Sequence, residues 1–282
     1  MSIRGVESVR LIVHSPRNGR WNMAVDEALL LGVAEGSPVV RLYGFSPPTL
    51  SVGRFQRIRG CVDPASLERR KITLVRRPTG GQAVLHDDEL TYAVILGRGH
   101  IEPFGKREVY RFIAGLLLLG LEKLGVRGQS SHSRTGSINN PDCFRSTGEY
   151  EIASLSERKL IGSAQILNRS GSLQHGAIPL SDSYKRIAEL MNTGGDSGKA
   201  DASSGEKPAG TPVHNEPASL SEELGRPILF QEAQEAFAAG FADAFRRLGV
   251  KLKPDELSND EIRRAEELLD KRYERDEWNL KY

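Results

Sequence analysis

The sequence predicts an α+β fold built on a largely antiparallel sheet, and three observations lead there. Strand-like segments come in runs joined by tight turns rather than in strict alternation with helices. One strongly apolar-faced helix interrupts those runs, and the tail reads as helical. No internal repeat is apparent along the 282 residues. That length accommodates one large domain or two small ones, and we take residues 1–282 as a single domain.

In the first third, Val9–Val13, Val39–Tyr43, Thr49–Val52 and Ile72–Val75 are β-branched or aromatic-rich and are separated by glycine, proline and aspartate clusters. An early helix is expected with Asn22 as its cap, grouping Met23, Ala24, Ala28, Leu29 and Leu30 on one side. The clearest helix carries Val109, Phe112, Ile113, Leu116, Leu117 and Leu124 at the spacing of one buried face. Two strands at 149–155 and 160–167 flank a turn at Ser156-Glu157-Arg158, and a third strand runs from Leu173 to Ile178. From Thr193 to Pro217 there are five Gly, three Pro and three Ser but no aromatic residue, so this stretch buries too little to offset its ordering entropy. It reads as a flexible surface insertion. Helices are expected over 228–275, with Phe237, Phe241 and Phe245 stacked at i, i+4, i+8 and a capping box at Ser258–Glu261.

Composition narrows the function. With 39 Lys+Arg against 37 Asp+Glu the net charge is +2, which argues against nucleic acid as the main partner. The longest apolar run, within Ile113–Leu121, is about half a membrane span. Arg4, Glu7 and Arg10 break up any early signal-peptide pattern. Two cysteines make no disulfide framework, so a cytoplasmic protein is expected. The six histidines lack metal-ligand spacing, so no metal is expected.

Three segments carry candidate chemistry. In Arg76-Arg77-Pro78-Thr79-Gly80-Gly81-Gln82, paired glycines after a strand let a backbone approach a ligand, and the arginines add positive charge. A glycine turn beside two solvated arginines would read the same way. In Asn140-Pro141-Asp142-Cys143-Phe144, Cys143 is either a nucleophile or a small buried apolar residue, and Cys61 has less to recommend it. In the third, Lys159 precedes the small residues Gly162-Ser163-Ala164 that leave space on a strand, although a solvated hairpin lysine is ordinary. His175 then interrupts an apolar strand, where a hydrogen-bonded structural histidine is also common. On the residues alone, this amounts to a glycine-lined, locally basic cleft with a candidate Cys or Lys.

Taken in order, several segments together resemble the lipoate–protein ligase and octanoyltransferase family, the biotin/lipoate A/B protein ligases. They are Trp21–Ala28, Pro47–Gln56, Arg76–Asp87, Glu89–Tyr92, Asp142–Phe144, Lys159 with Gly162–Gln165, and Gln174–Gly176. The resemblance implies a ligase-like catalytic domain of the class II aminoacyl-tRNA synthetase type. The Cys143-Phe144 element and the His86-to-Tyr92 run resemble the cysteine-dependent octanoyltransferases. Gln82 stands where ligases usually have a third glycine.

The implied reaction moves an octanoyl group from octanoyl-acyl carrier protein, through a Cys143 thioester, to the lysine of a lipoyl domain such as the glycine cleavage H protein. No cofactor is implied, and ATP enters only if the chain is a lipoate ligase. Lys159 would be the electrostatic partner of Cys143. Gly80, Gly81, His86, Ser163, Ala164 and His175 would form the acyl-binding region, and Arg76 and Arg77 would meet the anionic arm or acidic face of the carrier. An ATP-dependent ligase, an amidotransferase between lipoyl domains and a non-catalytic binding module are the alternatives.

Overall fold

A computed structural model describes residues 2–34, 36–130, 151–191 and 217–282. Strands β1 (Ser2–Ile3) and β2 (Ser8–Val13) lead through helix α1 (Gly19–Gly32) to β3 (Val39–Tyr43) and β4 (Thr49–Val52). Helix α2 (Pro64–Arg69) precedes β5 (Thr73–Arg76), β6 (Val84–His86), β7 (Glu89–Gly97) and β8 (Ile101–Glu102). Helix α3 (Lys106–Lys123) is followed by β9 (Gly128–Ser130), β10 (Ile152–Ser154), β11 (Lys159–Leu167) and β12 (Gly171–Pro179). The remainder holds α4 (Leu220–Leu224), α5 (Phe230–Arg247), β13 (Lys251–Asp255), α6 (Asn259–Leu268) and α7 (Asp276–Asn279).

Eight strands form the main sheet in the order β13-β2-β3-β7-β12-β11-β10-β9. Its β13–β2 and β2–β3 pairs are parallel and the other pairs antiparallel, as the α+β reading expects. A small sheet, β5-β4-β6, stands beside it. The central strands bury both faces, and the two-residue side-chain period sorts those faces cleanly. Val40, Leu42, Tyr92, Val94 and Leu96 pack toward α3 and α5, whose Val109, Ile113, Leu117, Phe237, Phe241 and Phe245 complete that core. Val39, Tyr43, Ala93 and Ile95 pack toward α1 and α6.

Several expectations shift by a residue or a role. Helix α1 begins at Gly19 with Asn18 capping the Arg20 N–H, so Asn22 is not the cap. Asn22 is buried inside the helix because its amide donates to the Gly44 carbonyl at 2.9 Å. The Ser156-Glu157-Arg158 turn forms as expected, closed by Ser154 N–H to the Arg158 carbonyl at 2.8 Å. The tail is not helical throughout. Lys251–Asp255 joins the sheet edge as β13, parallel to β2, and its polar, proline-containing sequence suits an exposed edge. The capping box at Ser258 and Glu261 is present at the start of α6. Apart from Pro217, the 193–217 insertion lies outside the described residues.

Helices α3 and α5 cross closely. A Cβ on Gly240 would sit 2.5 Å from the backbone nitrogen of Gly120 and 2.6 Å from its Cα. Backbone cannot yield as a side-chain tip can, so Gly240→Ala is expected to destabilise the fold by about 1–3 kcal/mol in urea unfolding. A midpoint equal to that of the parent would contradict this packing.

Candidate active site

Strand register assembles the site row by row. Arg41 pairs with Ala93, Ala93 with His175, and His175 with Ala164, giving one row across β3, β7, β12 and β11. The next row is Tyr43, Thr91, Ala177 and Gly162. Helix α1 lies over this face and brings Asn22 and Asp26, one helical turn apart, down onto Arg41. Between α1, the two rows and β4–β6 is a cavity of about 370 Å³, counting its open mouth. Its walls include Met23, Tyr43, Phe45, Val84, Ala164 and Ala177, with Ser51, Arg77, Thr91, His86 and His175 as polar members.

Those polar groups are bonded to one another, to side chains behind the wall or to backbone. Asp26, fully buried, accepts from Arg41 Nη1 at 2.7 Å, from the Tyr43 hydroxyl at 2.7 Å and from His175 Nδ1 at 2.9 Å. His175 Nε2 lies 2.7 Å from the Thr79 hydroxyl. Across the cavity, His86 Nδ1 meets Glu89 Oε1 at 2.6 Å and its Nε2 lies 2.7 Å from Ser51 Oγ, while Phe45 stacks on the ring at 4.1 Å. Burial alone would push the Asp26 carboxyl up, but the His175 hydrogen bond and the Arg41 charge overcome it and hold the pKa below its ordinary value. Burial pushes His175 down, against the pull of Asp26, so the pair is a carboxylate with a neutral imidazole.

The Gly80–Gly81 segment lies against this cavity. Gly81 has φ +92°, the left-handed region that favours glycine, and a Cβ there would lie 2.8 Å from Arg77 Nη2. Arg77 holds the turn from inside, donating to the carbonyls of Gly80 at 2.9 Å and Gln82 at 2.6 Å and to Ser51 Oγ at 3.0 Å. Arg76 is fully buried and donates to the carbonyls of Gly53 at 2.6 Å, Gln56 at 2.9 Å and Trp278 at 3.1 Å. Both arginines that the sequence reading set against an anionic partner thus point into the protein. Neither is exposed: backbone carbonyls of the loops around them take up Nε and Nη1 of Arg76 and most donors of Arg77, while Arg76 Nη2 is buried with no hydrogen-bond partner among the described residues.

The structure thus brings together Arg77, Gly81, His86, Ser163, Ala164 and His175, with Gly80 adjoining. Lys159 starts β11, is buried, and its ammonium lies 2.9 Å from Glu151 Oε2; it is not part of the cavity wall. Cys143 lies outside the described residues. Asp26, Arg41, Tyr43, Ser51, Thr79 and Glu89 escaped the sequence reading as site residues. The signal was present, since Arg41 breaks an apolar strand and Asp26 falls within an apolar helix. Among the described residues no three His, Cys, Asp or Glu side chains cluster as a metal site, and no helix is long and apolar enough to cross a membrane.

Residues 18–242 match the family model described as the lipoyl protein ligase A/B catalytic domain. The chain belongs to that family. Curated relatives named Octanoyltransferase LipM match nearly end to end. The Symbiobacterium thermophilum protein is 36% identical, with 96% of this chain and 98% of that one covered. For the Bacillus subtilis protein the figures are 35%, 98% and 99%. Among solved structures, a T. acidophilum protein with bound lipoic acid has a TM-score of 0.75 at 22% identity, covering 98% of this chain and 99% of that one. A lipoate-protein ligase A bound with ATP has a TM-score of 0.74 at 22% identity, covering 97% and 98%. At these identities the structures establish the lipoyl ligase fold for this chain.

Half-buried His14 and buried His175 make the stability of the fold depend on pH. His14, whose Nδ1 accepts from Arg41 Nε at 3.1 Å, is lowered to about 4 by burial and then by the Arg41 charge. His175 is lowered too, so the unfolded chain takes up protons below about 6.5 that the folded chain resists. Stability from these groups is complete above about pH 6.5 and falls as the pH drops toward the folded values. Urea midpoints should decline from about pH 7 to about pH 5, and His14→Gln should flatten that slope while keeping an acceptor for Arg41. A slope identical in parent and variant would contradict the assignment.

Proposed function

We propose that this member of the lipoyl ligase family carries an octanoyl group from the thioester of octanoyl-acyl carrier protein, by way of Cys143, to a lipoyl-domain lysine. The chain is an octanoyltransferase acting in protein lipoylation, as are the full-length relatives. The observation that carries the finer reading is the cavity beside Gly80–Gly81. Its polar side chains are bonded within the protein, so what it offers a guest is mainly apolar wall. An eight-carbon chain gains about 0.8 kcal/mol for each methylene it buries there.

The chemistry is balanced at each step. The Cys143 sulfur attacks the donor thioester carbonyl, a carbon–sulfur bond forms as another breaks, and the carrier leaves as its thiol. This exchange is nearly isoenergetic and needs no nucleotide. The lysine amine of the lipoyl domain then attacks the enzyme thioester, giving an amide and restoring the Cys143 thiol. A thiol of pKa ~8.5 is only a few per cent ionised near neutrality, so a nearby cation assists it. Lys159 is the candidate for that charge and for relaying the proton, with Glu151 holding its ammonium in place. Backbone N–H groups of the Gly80–Gly81 turn are candidates for receiving the developing oxyanion.

Transfer is tested with octanoyl-acyl carrier protein and an unmodified glycine cleavage H protein, without ATP. The parent should octanoylate the acceptor, and Cys143→Ala should lose on the order of 10³-fold or more in rate. Lys159→Ala should lose about 10²-fold or more and raise the Cys143 thiol pKa. Loading that occurs only with free octanoate and ATP would replace this reading with a ligase. Undiminished transfer by Cys143→Ala would remove the cysteine from the pathway.

A further inference from the structure

Asp26 and His175 have no part in the transfer steps above, yet their hydrogen bonds have only one consistent direction. The Asp26 carboxylate can only accept, so His175 Nδ1 carries the proton of the 2.9 Å contact. His175 Nε2 is then an acceptor, and the hydroxyl 2.7 Å away must donate to it. That hydroxyl belongs to Thr79, whose own carbonyl accepts from the Arg54 N–H at 2.8 Å and which leads directly into Gly80. Asp26 is itself fixed by Arg41 and Tyr43 at 2.7 Å each.

The other end of the turn is held by a second chain of the same form. Glu89 meets His86 Nδ1, His86 Nε2 meets Ser51 Oγ, and Ser51 Oγ accepts from Arg77, which grips the Gly80 and Gln82 carbonyls. The turn also abuts Gly53 so closely that a Cβ there would lie 1.9 Å from the Gly81 oxygen. Two carboxylate–imidazole–hydroxyl chains therefore converge on one glycine turn from opposite walls of the cavity.

We infer that Asp26 and His175 are positioning residues that act through the Thr79 hydroxyl to set the Gly80–Gly81 turn for the acyl carbonyl. This rests on octanoyl transfer being the reaction. The turn contains a left-handed glycine, Gly81, and Thr79 is where the Asp26–His175 chain grips it. A purely structural hydrogen bond would alter stability and leave the turnover of folded enzyme alone. A positioning bond alters turnover while substrate binding persists, since misplacement by about 1 Å costs on the order of 10² in rate.

The test compares the parent, Thr79→Ser and Thr79→Val in octanoyl transfer, together with backbone amide and imidazole nitrogen NMR of the same samples. Thr79→Val, which keeps the shape and removes the donor, should lose about 10²-fold in kcat with KM nearly unchanged. Thr79→Ser keeps the donor and should rescue kcat. The Gly80 and Gly81 amide signals should move in the valine variant and stay in the serine variant, with His175 protonated at Nδ1 in the parent. Parental kcat in folded Thr79→Val, equal losses in both variants, or a His175 proton on Nε2 would overturn the inference. A parent with no octanoyl transfer would instead sink the reaction reading, and the NMR signals would still decide whether Thr79 sets the turn.

Discussion

The carboxylate of Asp26 is the point on which this structure turns. An ionised group fully removed from water is tolerated only when its lone pairs are satisfied and its charge is balanced. Here α1 supplies the carboxylate, β3 supplies Arg41 and Tyr43, and β12 supplies His175. The Arg41 guanidinium is completed by Asn22, from one turn earlier on α1, and lies 3.8 Å from the Tyr43 ring centroid. Removing Arg41 would leave the Asp26 charge buried and unpaired, a loss of about 3–5 kcal/mol, whereas removing Tyr43 or His175 would leave one of its lone pairs unsatisfied. The same requirement fixes how α1 sits on the sheet, and hence where one wall of the cavity lies.

Small residues at two places in these strands make this possible. Ala93 lies between Arg41 and His175 in register and leaves room for Asp26 to descend. Gly176 lets β11 and β12 approach, since a Cβ there would be 2.3 Å from the Gly162 oxygen. The C-terminal segment supports the arrangement from behind. Asn279 accepts from the Arg76 N–H at 3.0 Å, Trp278 Nε1 donates to the Arg76 carbonyl at 2.8 Å, and Arg272 and Tyr273 both bond Glu27 on α1. The tail thus ties the strand that leads into the glycine turn to the helix that carries Asp26.

Much of the fold was legible because its signals are local. Val39–Tyr43 and Thr49–Val52 are strands with the bounds their β-branched residues mark, and Phe237, Phe241 and Phe245 pack into the core as their spacing foretells. Where a signal depends on distant partners, it was misread. Asn22 resembles a cap but serves Arg41, and Lys251–Asp255 lacks alternation because it is an exposed edge strand, recruited by its pairing with β2. The site divides the same way. Family motifs led to His86, Ser163, Ala164, His175 and the glycine pair. Asp26 stood out as a charge within an apolar helix, but its pairing with His175 is visible only once α1 lies over β12. The burial of Arg76 and Arg77 was not legible because adjacent arginines usually face water, and nothing local reveals that the loops around them present carbonyls inward.

The most direct measurement on a cavity of this build is the intact mass of the protein after mixing with octanoyl-acyl carrier protein in the absence of nucleotide. Octanoyl transfer through the enzyme predicts one octanoyl adduct, released by hydroxylamine and mapped to Cys143 by peptide analysis. An unmodified mass under conditions where the acceptor is octanoylated, or an adduct on another residue, would contradict it.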